Sequence, residues 1–343
     1  MGTSVVIADD LSRTDLQRTD LLSGDSLRKN RHCPRRAAER SRLLATLASQ
    51  ALIAEAELTP KPGLVDRRGS GAHSDLSLDL MRLSATVLEP YFVAMSSTSV
   101  GRDADSVLRQ ELAAIGREAE CLMYKVTCGI NTHKGAIWNL GLLIATAARR
   151  ESQIVREIAA AAGAIARLPD RPQPELITHG DMVRNLYGAT GARGEASNGF
   201  PHVVEFGLPM LRQRRAAKCS EEICRLDALL SLMSQLDDTC VLYRGGSEAL
   251  SLVKSGAQAI LMAGGYGSAH GQTLMRELDG QMIARHISPG GSADLLAATI
   301  FLDAVECEQN EIAKDQSEMG GARWSSLSSS TPRQNGTSQR RHT

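Results

Sequence analysis

An all-α domain of about ten helices is the fold class that the sequence predicts, and three observations predict it. Apolar residues recur every three to four positions over most of the chain, as one buried face of a helix requires. Strand-like alternation is scarce, and aromatic residues, which favour sheets, make up only 3% of the chain. Alanine and leucine, which lose least on entering a helix, fill the periodic stretches. Glycine, proline and charge gather between those stretches instead.

Residues 1 to about 40 carry no periodicity, and "RKNRHCPRRAAERSR" sets seven basic residues against Glu39. This segment reads as a solvated, disordered tail running into the first helix, with a partner contact as the alternative. The first helix carries Leu43, Leu44, Leu47, Leu52 and Leu58, and Pro60 must stop it, because proline has no amide donor and clashes with the preceding turn. A second follows through Leu76, Leu80, Leu83 and Val87, and a third through Leu108, Leu112, Ile115, Leu122 and Val126. "GAIWNLGLLIATAARR", "IVREIAAAAGAIARL", "EEICRLDALLSLMSQL", "EALSLVKSGAQAILMA", "GQTLMRELDGQMIARH" and "ADLLAATIFLDAVECEQ" continue the pattern. The Ser-, Gly- and Gln-rich segment 310–343 again reads as disordered. The folded part is therefore 41–309, without an internal repeat.

Composition bounds the function. With 343 residues, 42% of them hydrophobic, the chain can fill one large core. Lys plus Arg and Asp plus Glu balance at 39 each, so no overall field recruits nucleic acid or an anionic membrane. Any anion site must be local. The seven cysteines are scattered without a CxxC pair, which suits reduced thiols. No run approaches the roughly 18 apolar residues of a membrane span, so a cytoplasmic protein is expected. Neither GxGxxG after a strand nor GxxxxGK[ST] occurs, so the two commonest phosphate loops are missing.

Five helix junctions carry chemistry. "TPKPGLVDRRGSGAHSD" combines Lys61, Asp66, His73 and Asp75 with stiffening prolines and with Gly63, Gly69 and Gly71; Ser74 or Asp75 stands where the next helix needs a cap. In "GINTHKGAIWNLG", Asn131 or Thr132 reads as a cap, placing His133 and Lys134 in the first turn, where the dipole disfavours lysine unless an anion binds. "YGATGARGEASNGFP" surrounds Arg193 with glycines, a loop that lets backbone approach a ligand while the guanidinium grips phosphate. "LDDTCVLYRGG" places Asp237 and Asp238 at an apparent helix C-terminus, where paired carboxylates want a cation, with Arg244 beyond. Magnesium suits such a pair, since it takes one or two carboxylates and completes its shell with water and phosphate. "HISPGGSADLL" offers Ser292 as a cap and Asp294 in the first turn. For each junction a solvated, purely structural role is the alternative. Together their residue types suit a magnesium–nucleotide site at one end of a helical bundle.

"TPKPGLVD" with "GAHSD", then "NTHKGAIWNLG", "GARGEASNGFP", "DDTCVLYRGG" and "SPGGSADLL", resemble in that order the motifs of triphosphoribosyl-dephospho-coenzyme A synthases, over residues 46 to 303. One branch of that family serves citrate lyase and the other malonate decarboxylase; the double aspartate of "DDTC" is similar to the malonate branch. The resemblance implies an all-α fold and transfer of the triphosphoribosyl unit of ATP to the ribose 2'-hydroxyl of 3'-dephospho-CoA, releasing adenine. The product would be the prosthetic-group precursor of an acyl carrier subunit. Such chemistry builds oxocarbenium character at C1' of the ribose. It needs groups for the phosphates (Lys134, Arg193 and Arg244, with Lys61 and Asp66 behind them), for magnesium (Asp237 and Asp238), and for proton transfer. Asp75 is the expected base, His73 its partner, and His133 the acid for the leaving purine. Gly69 and Ser197 depart from the family pattern. A magnesium-dependent hydrolase of nucleotides and a non-catalytic adaptor for the carrier protein are the competing classes.

Overall fold

The structure, a computed structural model, describes residues 34–149, 154–171 and 179–327. Among them lie twelve α-helices and one π-helical turn: α1 (Pro34–Glu57), α2 (Leu78–Ser99), α3 (Ser106–Val126), α4 (Lys134–Arg149), α5 (Val155–Ala166), α6 (His179–Tyr187), α7 (Gly191–Ser197), the π turn Val203–Gly207, α8 (Leu208–Ala216), α9 (Glu221–Gln235), α10 (Thr239–Met262), α11 (Ala269–Ala284) and α12 (Gly290–Leu327). The described residues form no strand, only an isolated bridge between Asp66 and Gly69. The all-α class holds, with two more helices than expected. One of them, α7, lies in the glycine-rich stretch read as a loop. Two glycines in seven residues argue against helix by propensity, but Glu195 and Ala196 are buried, and packing on α4 and α5 overrides the local preference.

Both expected tails differ at their inner edges. Residues 34–40 form the first turns of α1, with Pro34 at the position where its missing N–H is harmless. Residues 310–327, rich in helix formers, continue α12. The remainder of the two expected tails, 1–33 and 328–343, lies outside the described residues.

At the centre of the core runs α4, on which Ala136, Ile137, Leu140, Leu143, Ile144 and Ala147 are buried. A helix apolar on nearly all sides must be surrounded, and α4 is ringed by α1, α2, α3, α5 and the first half of α12. That half of α12 buries Leu295, Leu296, Ala298, Phe301, Leu302 and Val305. No helix among the described residues is long and apolar enough to cross a membrane.

The loop between α1 and α2 is fastened at both ends. Gly63 adopts φ +68°, where a side chain would be strained and would overlap the Ile287 carbonyl. Its N–H donates to Asp279 Oδ1 at 2.9 Å, tying the loop to α11. The cap of α2 is Ser77, whose Oγ accepts from Leu80 N, rather than Ser74 or Asp75. Asp75 is thereby left for other work.

Candidate active site

All five junctions open into one cavity of about 790 Å3, within the range of small-molecule sites. Lys61, His73 and Asp75 reach it from the first junction, Asn131 to Gly135 from the second, and Gly191 to Arg193 from the third. Asp237 and Arg244 come from the fourth, and Gly290, Gly291 and Asp294 from the fifth. Leu52, Leu64, Leu76, Met81 and Tyr124 supply apolar lining from α1 to α3 and their loops. Two residues expected at the site, Asp66 and Asp238, are not in its lining.

The cations divide into paired and open ones. Lys61 is 1% exposed, and its Nζ donates to Glu55 Oε1 at 2.6 Å and to the Glu55 carbonyl at 2.7 Å. Lys134 Nζ lies 3.4 Å from Glu120 Oε2, a looser pair. Arg184 of α6 pairs with Asp181. Arg193 and Arg244 have no carboxylate partner within ion-pair distance among the described residues. Arg244 donates to the His286 carbonyl at 3.1 Å and to His73 Nδ1 at 3.2 Å, which holds its guanidinium in place without cancelling its charge.

Asp238 corrects an expectation. It sits at the N-terminus of α10, not at the C-terminus of the helix before it, so the dipole there favours its charge and asks for no cation. Oδ1 accepts from Cys240 N (2.9 Å) and Gly291 N (3.3 Å); Oδ2 accepts from Ser292 N (2.8 Å) and Ser292 Oγ (2.9 Å). Four protein donors thus occupy the carboxylate, which pins the start of α12 to the start of α10. Ser292 is correspondingly inside α12 rather than its cap. Asp66 is likewise a brace: buried, it accepts from Lys61 N and from the backbone and guanidinium of Arg68. Asp237, in contrast, is 64% exposed and bonded to Lys254 Nζ at 2.6 Å. Among the described residues no group of three or more His, Cys, Asp or Glu side chains is placed to hold one metal ion.

Two of the amides at the start of α4, expected to face a phosphate, already have partners. Asn131 Oδ1 accepts from Lys134 N at 3.1 Å, and the Ala136 amide hydrogen-bonds Asp294. The carboxylate beside Lys134 is Glu120, at 3.4 Å, and what meets the helix start from within the protein is the Asp294 carboxyl. Gly135 makes room for it, since a Cβ there would overlap the Asp294 carboxyl. Burial, with Glu55 and Asp238 nearby, holds Asp294 well above the usual carboxylate range.

Both expected histidines are neutral at pH 7. His133 is buried between Lys61 and Ser84, and burial followed by the Lys61 charge lowers its pKa to about 3. His73 is lowered to about 4 by burial and then by Arg244, against a weaker opposing pull from Asp75, whose Oδ1 is 3.8 Å from Nδ1. An unfolded histidine titrates near 6.5. Between that value and the folded ones the unfolded chain binds more protons, so this share of stability is complete above about pH 6.5 and is lost as pH falls toward 4 and then 3. Urea midpoints should therefore drop between pH 7 and 4.5, and drop less in His73→Asn. Equal losses in both proteins would contradict the assignment.

Three cavity residues gave no sequence signal strong enough to single them out. Glu55 and Asn139 lie in apolar helical stretches and look like ordinary face positions. Glu195, beside Arg193, is buried and accepts from His202 N at 2.9 Å, with Oε2 2.7 Å from His202 Nδ1. A carboxylate or amide at a period otherwise filled by Leu and Ala is the one clue that sequence offers to such positions.

The family model described as CitG, ATP:dephospho-CoA triphosphoribosyl transferase, matches residues 41–312. A probable 2-(5''-triphosphoribosyl)-3'-dephosphocoenzyme-A synthase of Stutzerimonas stutzeri is 53% identical over 270 residues, covering 78% of this chain and 92% of the relative. Proteins of the same description from Azotobacter vinelandii (51% over 265 residues, 76% and 91% covered) and Pseudomonas syringae pv. syringae (50% over 276 residues, 80% and 94% covered) are similar to it as well. No solved structure matches the chain. By the extent of the family match and the identity to these relatives, the chain belongs to the ATP:dephospho-CoA triphosphoribosyl transferase family.

Proposed function

We propose that this protein transfers the triphosphoribosyl group of ATP to the 2'-hydroxyl of 3'-dephospho-CoA, releasing adenine, and that it works in the cytoplasm. The observation that carries this reading is the pair of guanidiniums, Arg193 and Arg244, open at one cavity with proton-transfer groups around them. In the reaction the C1'–N9 bond of ATP breaks and its electrons go to the purine. The 2'-oxygen of the acceptor bonds C1', its proton passes to a base, and the purine gains a proton.

Arg193 and Arg244 hold the triphosphate in bidentate fashion, with Lys134 beside them. Lys61 is too well paired with Glu55 to bind phosphate directly and instead shapes the field. Asp75, 60% exposed, takes the hydroxyl proton. His73 positions Arg244 rather than Asp75: Nδ1 accepts from Arg244, which leaves Nε2–H to donate to Ser288 Oγ at 2.8 Å, so no ring N–H is given to the Asp75 carboxylate. His133, being neutral, serves the leaving purine as a hydrogen-bond donor rather than as an imidazolium acid. Asp237 at the cavity edge suits a magnesium ion, which needs few protein carboxylates; when bound, it would neutralise triphosphate charge. The reading of Asp238 as a second ligand does not fit its four occupied acceptor sites.

The sequence Asp237-Asp238-Thr239-Cys240 favours the malonate decarboxylase branch, whose carrier subunit would receive the prosthetic group made from the product. Incubating the protein with ATP, magnesium and dephospho-CoA should release adenine and yield an adduct of the two substrates by mass. Adenine release that does not need dephospho-CoA would instead indicate a hydrolase. Decarboxylase subunits encoded beside the gene would support the branch, and citrate lyase subunits there would overturn it.

A further inference from the structure

Asp238 and Asp294 stand near each other at the starts of α10 and α12, and the protein treats the two carboxyls differently. Asp238 is 2% exposed, lies outside the cavity lining and accepts from four donors. Asp294 keeps part of its surface accessible and lines the cavity. Against those four donors, only the Ala136 amide serves Asp294 among the described residues. Gly135 lets the carboxyl lie against the first turn of α4, since a Cβ there would come within 2.0 Å of Oδ2. The groups that face it bring no free cation. From α1 comes Glu55, already paired with Lys61, and from α10 come Asp238 and the Cys240 thiol. Burial and the two neighbouring acids favour the neutral carboxyl, which carries a proton that can be given away.

The proposed reaction needs such a group, because the purine must gain a proton as the C1'–N9 bond breaks. Other cavity residues supply it poorly. His73 and His133 are neutral at pH 7 and hold no imidazolium proton. The Lys61 and Lys134 ammoniums are paired with Glu55 and Glu120. Burial pushes the Cys240 thiol up, which makes it a weaker acid.

We infer that Asp294 is the catalytic acid, its O–H proton passing to a ring nitrogen of adenine as the electrons of the C1'–N9 bond move into the base. The carboxylate left behind adds negative charge to the cavity just as C1' becomes positive. Asp75 takes the acceptor's hydroxyl proton, so protons balance, and exchange with water resets both groups between turnovers. The inference rests on the reading of the cavity as the site of triphosphoribosyl transfer.

It is tested by measuring free-base release against pH, with dephospho-CoA, from ATP and from 7-methyl-ATP, whose quaternised ring lets the base leave without taking up a proton. In the wild type, kcat on ATP should fall about tenfold per pH unit once Asp294 ionises, and 7-methyl-ATP should show no such fall. Asp294→Asn should release adenine from ATP at least about 100-fold more slowly at pH 7, without the alkaline fall, while its rate on 7-methyl-ATP stays close to that of the wild type. A folded variant that keeps the wild-type rate on ATP, or that loses as much on 7-methyl-ATP as on ATP, would overturn the inference. So would a wild type with the same pH dependence on both nucleotides, a comparison that holds even if the variant fails to fold. A wild type that releases no adenine from ATP would overturn the reading of the site, and this inference with it.

Discussion

Replacing Lys61 with methionine is expected to lower the stability of the protein by about 3–5 kcal/mol, because it leaves the Glu55 carboxylate buried without its counter-charge. The two side chains are 1% and 4% exposed and meet at 2.6 Å. Methionine roughly matches the volume of the lysine stem, so the loss is electrostatic rather than a cavity. The double variant Lys61→Met with Glu55→Leu removes both charges and should recover most of the stability, since a hydrophobic pair of similar size commonly replaces a buried ion pair at little cost. Denaturant unfolding of the wild type and both variants measures this. A single variant within about 1 kcal/mol of wild type would mean that water reaches Glu55.

Asp237→Asn and Asp238→Asn should fail in opposite ways. At 238 the amide turns one acceptor into a donor facing either Ser292 N and Oγ or Cys240 N and Gly291 N, so a buried donor is left unsatisfied. The expected cost is about 3 kcal/mol or more, with loosening of the α10 and α12 starts. At 237 the exposed side chain loses only its bond to Lys254, and a surface pair contributes about 0–1 kcal/mol. Its effect should instead appear as a higher magnesium requirement for adenine release. Thermal melting and a magnesium titration on both variants separate the two roles. A stable Asp238→Asn protein with a raised magnesium requirement would restore Asp238 as a metal ligand.

The helices were legible wherever the apolar period ran unbroken, as from Leu108 to Val126 or through the α4 stretch. There a single periodic signal dictates both the helix and its buried face. The short helices were not: α7 carries two glycines and owes its form to neighbours that a local reading does not see. The five junctions were legible as chemistry, because charge and glycine at a helix break are costly without a use. Which of their carboxylates faces the cavity was not legible. Asp237 and Asp238 are adjacent, yet one is exposed beside the cavity and the other is enclosed by donors from a segment more than fifty residues away. Asp294 offered a dipole explanation within its own helix, while its partner is the first turn of a different one, at Ala136.

By itself the sequence determined the all-α class, the order of the motifs and the residue types available for a nucleotide, since periodicity, propensity and composition act along the chain. Tertiary structure alone decided which charges remain open. Lys61 is neutralised by Glu55, Asp238 is saturated by Ser292 and its neighbours, and both histidines lose their protons, while Arg193 and Arg244 line the cavity with no carboxylate partner among the described residues. The physical reason is that pairing and desolvation depend on what is packed within a few ångströms of a group. That neighbourhood is assembled from segments far apart in sequence.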